Sequence, residues 1–144
     1  MKFRLRPATL EERSGVVRSQ WLNRILPRRG RSDGGQHGHH TGRRDVLLSE
    51  ALTVRTCELL VDELLANRST EVLVAEPSDV PGSLVGWVAF EPSVAVHFVC
   101  VVEKYGRRGF GTRLLQRAGA TLPASWSTPK GRALQRAAAR EVAA

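Results

Sequence analysis

The apolar positions of this chain alternate between a period of two and a helical period. Phe3-Arg4-Leu5-Arg6 alternates and stops at Pro7, which predicts a short first strand. Thr9 with Glu12 three residues on has the spacing of a capping box, and Val16, Val17, Trp21, Leu22 and Ile25 follow at helical intervals until Pro27. A second helix is expected to open at Ser49-Glu50, carry Leu52 to Leu65 and end near Asn67. Glu71 to Glu76 reads as a strand, Pro77 to Gly82 as a turn, and Leu84 to Glu91 as a second strand. Pro92-Ser93 turns the chain into a third strand, Val94 to Val102. Gly109 to Ala120 is the next helix, Leu122 to Ser127 a short strand candidate, and Pro129 to Val142 a terminal helix with Thr128 as its N-cap. The order predicts an α/β (α+β) sheet with helices packed on it.

Composition fits one domain over residues 1–144. The chain is too short for two ordinary domains, and 42% hydrophobic residues are enough for a core. No run approaches the roughly 18 apolar residues of a membrane span. The start, Met1 to Pro7, has no apolar stretch behind its charges, so no secretory signal is expected. Cys57 and Cys100 have no metal-ligand spacing and read as free thiols of a cytoplasmic protein.

The net charge of +8 is unevenly spread: residues 1–45 carry eleven Lys/Arg against four Asp/Glu. The basic N-terminal third suits nucleic acid, an acidic substrate or an anionic cofactor. Part of it is the stretch Arg28 to Arg44, with five Arg, five Gly, three His and no apolar residue, which is expected to be a flexible loop. His37, His39 and His40 lack companions at a ligand distance, so no metal is assigned. Trp21 and Trp126 are candidates to stack on a planar substrate, with core packing the commoner use.

The chemistry-bearing segment is Val99 to Leu115. Alternating valines are followed by Tyr105-Gly106-Arg107-Arg108-Gly109-Phe110-Gly111-Thr112 and then an amphipathic helix. Glycines let the backbone turn and bring N–H groups close to a ligand, and the helix directs its positive end at the same spot. Gly109 and Gly111 are expected to leave room for a phosphate. The stretch is not a Walker loop, because no Gly-Lys-Ser/Thr follows, and a hairpin before it argues against a dinucleotide fold.

This segment resembles motif A of the GCN5-related N-acetyltransferases through Val99, Val101, Tyr105, Gly109, Gly111, Leu114 and Leu115. The N-terminal Arg6-Pro7-Ala8-Thr9 resembles the family's common opening, and the element order extends the likeness over residues 3–142. AVHFVCVVEKYGRRGFGTRLL after a basic first helix is also similar to small phage-type members, some of them Mom-like proteins acting on nucleobases. Gly106 stands where the family has Arg or Gln, with Arg107 one place later.

The resemblance implies a central mixed, mostly antiparallel sheet flanked by helices and shortened at its C-terminal end. It implies transfer of an acetyl or related acyl group from acetyl-CoA to an amine, on a small molecule or on a nucleobase, with a homodimer as one way to complete the sheet. Val99 and Val101 would hold the pantetheine through their backbone, and the N–H groups of Arg107, Arg108, Gly109, Phe110, Gly111 and Thr112 would take the pyrophosphate. Glu91 and His97 are the candidates for the general base. The only Tyr, Tyr105, lies inside the cofactor loop, so Ser125, Ser127 or Thr128 is left to hold a water near the leaving thiolate. A non-catalytic DNA- or protein-binding module on the same scaffold is the alternative.

Overall fold

A computed structural model describes residues 2–26, 43–125 and 129–143. Four strands, β1 (Phe3–Pro7), β2 (Glu71–Pro77), β3 (Gly86–Glu91) and β4 (Ala95–Val101), form one sheet in the order β1-β2-β3-β4. Every neighbouring pair is antiparallel. A single parallel bridge, Val96 to Ala124, adds the next segment at one end of β4. The expected mixed, mostly antiparallel sheet flanked by helices is therefore present. The strand expected over Leu122 to Ser127 contributes only that bridge among the described residues.

Helices cover both faces. Between β1 and β2 run α1 (Leu10–Glu12), a π-helical stretch (Arg13–Val17), α2 (Arg18–Ile25) and α3 (Arg43–Ala66). The Thr9–Glu12 capping box forms in full, with the Thr9 hydroxyl accepting from Glu12 N–H and the Glu12 carboxylate from Thr9 N–H. Val17, Trp21 and Val61 pack against Val72, Val74, Trp87 and Phe98 on this face. On the other face α4 (Phe110–Ala118) and α5 (Pro129–Ala143) bury Phe110, Leu114, Leu115 and Ala138 against Val85, Val88, Phe90 and Val96. The 3.6-residue apolar stripe of α4 explains why all five of its buried residues face the sheet or α5.

Two expectations need correction here. The second helix begins at Arg43, not Ser49, so Arg43 and Arg44 belong to α3 rather than to the preceding loop; the rest of that loop, with its three histidines, lies outside the described residues. The basic N-terminal third, expected to suit an anionic partner, is also in part engaged within the fold. Arg13 donates to the Leu65 and Thr70 carbonyls and closes the end of α3, and Arg18 makes a two-pronged contact with Asp62. Arg4 and Arg6 converge on the buried Glu76, and Arg6 also grips Glu12. Four of the eleven basic residues of the N-terminal third, Arg4, Arg6, Arg13 and Arg18, therefore hold β1, β2 and the helices together.

Candidate functional site: the open edge of strand β4

Strand β4 is half paired along its outer edge. Val96 donates its N–H to the Pro123 carbonyl at 2.9 Å and accepts from Ser125 N–H at 3.0 Å. Residues 123–125 pair with β4 only there. A register shift in the β3–β4 ladder at Ala89/Phe90 changes the sense of β4 just beyond the bridge. Val102 then donates to the Val85 carbonyl at 2.8 Å. Antiparallel alternation from that bond turns the N–H and C=O of Val99 and Val101 away from β3.

These outward groups face a cavity of about 570 Å³. Its walls are the end of α2 (Arg24, Leu26), β4 from Phe98 to Val101, and the first turns of α5 (Lys130, Leu134). The Arg24 guanidinium lies 3.5 Å from the Val101 carbonyl oxygen. Arg24, Lys130 and Leu134 carry no local signal of this role; Arg24 is 77 residues from Val101 in sequence. Only the packing of α2 and α5 on opposite faces of the sheet brings them to one edge.

The loop from β4 to α4 adjoins this cavity. After a 3-10 turn at Glu103–Tyr105, Arg107 has φ +61° and Gly109 φ +81°. Gly109 is the N-cap of α4 and supplies no side chain to cap it, so the first N–H groups of the helix project from its end. A left-handed residue in such a run makes successive N–H groups converge, the geometry of an anion nest. Arg107 pays about 1–2 kcal/mol for that conformation, since only glycine adopts it freely. Lys104 and Arg108 lie over the Tyr105 ring, at 5.1 and 5.9 Å from its centroid. The Phe110 side chain is core, edge-on to Phe3 at 4.5 Å, and leaves only its backbone to a ligand.

The two helix-start glycines do different work. Gly109 needs its bare Cα for its backbone angle, and a Cβ there meets nothing within 4 Å. At Gly111 a Cβ would fall 2.6 Å from Leu134 Cδ2 and 3.3 Å from Val101 Cγ2. Its missing side chain admits α5 rather than a phosphate, which corrects the expectation for that position.

Beside the Val96–Ala124 bridge, Glu91 and His97 are brought together. The imidazole Nε2 lies 4.0 Å from Glu91 Oε2, and Nδ1 lies 2.6 Å from Ser125 Oγ. His97 is 5% exposed and burial pushes its pKa down, with Glu91 pulling weakly the other way. Neither residue lines the cavity directly; their neighbour Phe98 does. Ser127, Thr128 and Trp126 lie outside the described residues. Trp21 is no stacking platform, being fully buried at 5.5 Å from Phe98 and 5.7 Å from Trp87. Cys100 is buried beside Gln20, and that burial pushes its thiol pKa up, away from a nucleophilic thiolate. No group of His, Cys, Asp and Glu able to hold a metal occurs among the described residues. No helix of the described residues is long and apolar enough to cross a membrane.

No protein-family model matches this chain, and no curated protein matches it by sequence. Solved structures do match it. A putative acetyl transferase from Pyrococcus furiosus aligns with a TM-score of 0.55 at 13% identity, over 94% of this chain and 91% of its own. A ribosomal-protein-alanine N-acetyltransferase from Brucella melitensis biovar Abortus 2308 aligns at 0.50 and 14% identity, over 93% and 87%. An aminoglycoside acetyltransferase from an uncultured soil metagenomic sample, in complex with sisomicin, aligns at 0.50 and 12% identity, over 99% and 89%. None of these three points to the phage-type subgroup. The chain shares the fold of these solved acetyltransferases.

Proposed function

We propose that this protein is an N-acyltransferase that moves an acetyl or related acyl group from CoA to a small amine. The half-open edge of β4 carries this reading: the backbone groups of Val99 and Val101 face the cavity with no strand paired to them among the described residues, Arg24 alone reaching the Val101 carbonyl, and a ligand that itself bears amides can take them up. A pantetheine arm has that chemistry, and the residues fit the rest of the cofactor. The N–H groups of Arg107 to Thr112, at an uncapped helix start with a left-handed turn before it, suit a pyrophosphate. Arg24 and Lys130 bring positive charge to the cavity wall, Arg107 and Arg108 lie in the loop that follows β4, and no carboxylate lines the cavity among the described residues. Bound acetyl-CoA would supply the activated acyl carbon as a thioester.

The chain's own task is to orient the reactants and to take a proton from the amine. His97 is held neutral by burial, so it can accept that proton, and Glu91 would stabilise the imidazolium formed. A small amine is favoured as acceptor over a nucleobase in DNA, because Arg4, Arg6, Arg13 and Arg18 are engaged inside the fold.

Calorimetric titration with acetyl-CoA tests the reading, with Gly109→Asp as the variant that places a side chain and a negative charge at the helix start. Binding by the wild type and its loss in the variant are expected. Undetectable wild-type binding would leave the non-catalytic module. Mass spectrometry of small amines and duplex DNA after incubation with acetyl-CoA then identifies the acceptor class.

A further inference from the structure

A hydroxyl, an imidazole and a carboxylate meet beside the Val96–Ala124 bridge, and their order matters. Ser125 Oγ is 2.6 Å from His97 Nδ1, and His97 Nε2 faces Glu91 Oε2 at 4.0 Å. Nε2 is buried and has no hydrogen-bond partner, whereas Ser125 is exposed. The tautomer follows from charge. If Nδ1 carried the ring proton, the Nε2 lone pair would point at an anion in a dry setting. With the proton on Nε2, that N–H has the Glu91 carboxylate as its charge neighbour at 4.0 Å, beyond direct hydrogen-bond length, and Nδ1 accepts from the Ser125 hydroxyl. That is the arrangement of an activated nucleophile: hydroxyl on base, base oriented by an acid. The nucleophile is reachable from solvent while its base is shielded.

We propose that Ser125 is a nucleophile that takes an acyl group from an activated ester or thioester, with His97 as its base and Glu91 as the residue that positions the base. As Oγ bonds to the acyl carbon, its proton moves to Nδ1. The bond from that carbon to the leaving oxygen or sulfur breaks, and the leaving atom recovers the proton from Nδ1. The acyl ester on Ser125 then passes to an amine or to water, and Nδ1 takes the incoming proton and returns it to Oγ. The thioester half of this inference rests on the acyl-transfer reading above; the ester half stands without it.

The test incubates the protein separately with p-nitrophenyl acetate and with acetyl-CoA, followed by acid quench and peptide mass spectrometry. One acetyl group on the peptide containing Ser125 is expected, formed with a burst of p-nitrophenolate. Ser125→Ala abolishes the adduct and the burst. His97→Gln slows both by about 100-fold or more. Glu91→Gln slows them less and moves the pH midpoint of adduct formation down, because the carboxylate no longer favours the imidazolium. A serine-directed fluorophosphonate on the wild type gives a second measurement that needs no variant. No Ser125 adduct from either donor or from the fluorophosphonate, or a burst unchanged in Ser125→Ala, overturns the proposal. An ester adduct without any acetyl-CoA binding supports Ser125 and defeats the CoA reading. Amine acetylation from acetyl-CoA with an unmodified Ser125 does the reverse.

Discussion

Gly111→Ala decides whether the bare helix start of α4 serves a phosphate or a neighbouring helix. In an ordinary helix interior this substitution stabilises by about 1 kcal/mol. Here the new methyl would lie 2.6 Å from Leu134 Cδ2, against a normal carbon contact of roughly 3.5–4.0 Å. Leu134 or the whole of α5 must yield by about 1 Å, and overpacking of this kind costs about 1–3 kcal/mol. The two effects leave a net loss of about 1 kcal/mol. Leu134→Ala alone removes a half-buried side chain and costs about 2 kcal/mol. In the double variant the clash is gone and the helix gain remains, so the pair should be more stable than the summed singles by about 1–3 kcal/mol. Urea denaturation of the four proteins completes the cycle. Acetyl-CoA titration adds the functional half: Leu134→Ala should restore any binding that Gly111→Ala loses. Additivity within about 0.5 kcal/mol, or a binding defect that persists in the double variant, would refute the packing account.

Three further outcomes follow from the fold. The Arg6 guanidinium, with the Thr9 N–H, holds the Glu12 carboxyl down to about 2 against burial pushing the other way. A depressed carboxyl contributes stability that is full above its unfolded value of 4.5 and is lost as pH falls from there through about 2. The gap sets a ceiling of about 3 kcal/mol, which solvent screening of this surface pair reduces to about 1 kcal/mol. Urea midpoints at pH 7 and pH 3 should therefore fall less in Glu12→Gln than in the wild type, and an equal fall would rule this out. Gly86→Ala would place a Cβ 2.7 Å from the Cys100 carbonyl oxygen, a backbone atom locked in the β3–β4 ladder, and should cost about 3 kcal/mol. Gly15→Ala, with nothing within 4 Å, should be neutral or mildly stabilising, and thermal melts of both glycine variants check the pair.

Local patterns carried most of the fold. Alternation found β1 to β4 to within a residue or two, and the Thr9 capping box fixed the first helix start because its hydrogen bonds span only three residues. The start of α3 was misplaced because Ser49-Glu50 has the look of a helix opening, whereas Arg43 to Leu48 already belong to the helix. Contacts between distant segments were illegible for a different reason. Nothing near Gly111 announces Leu134, and nothing near Val101 announces Arg24. The site follows the same division. The glycine loop and the valines of β4 were readable from their own spacing, Glu91 from its place at the end of one strand and His97 from its place on the next. The 2.6 Å contact between His97 and Ser125, 28 residues apart, exists only once the segment after α4 has returned to β4.

The unpaired half of β4 also bears on how this protein behaves at high concentration. The opposite edge of the sheet, β1, is guarded by Arg4, Arg6 and Pro7, all of which discourage another strand from docking. The Val99 to Val101 edge has no charge or proline of its own, and it offers the same hydrogen-bonding row to any extended chain narrow enough to pass between α2 and α5. Occupying that groove with a ligand would therefore do for this edge what proline and arginine do for the other. Shelf life and crystallisability should both improve when the protein is purified with its ligand bound.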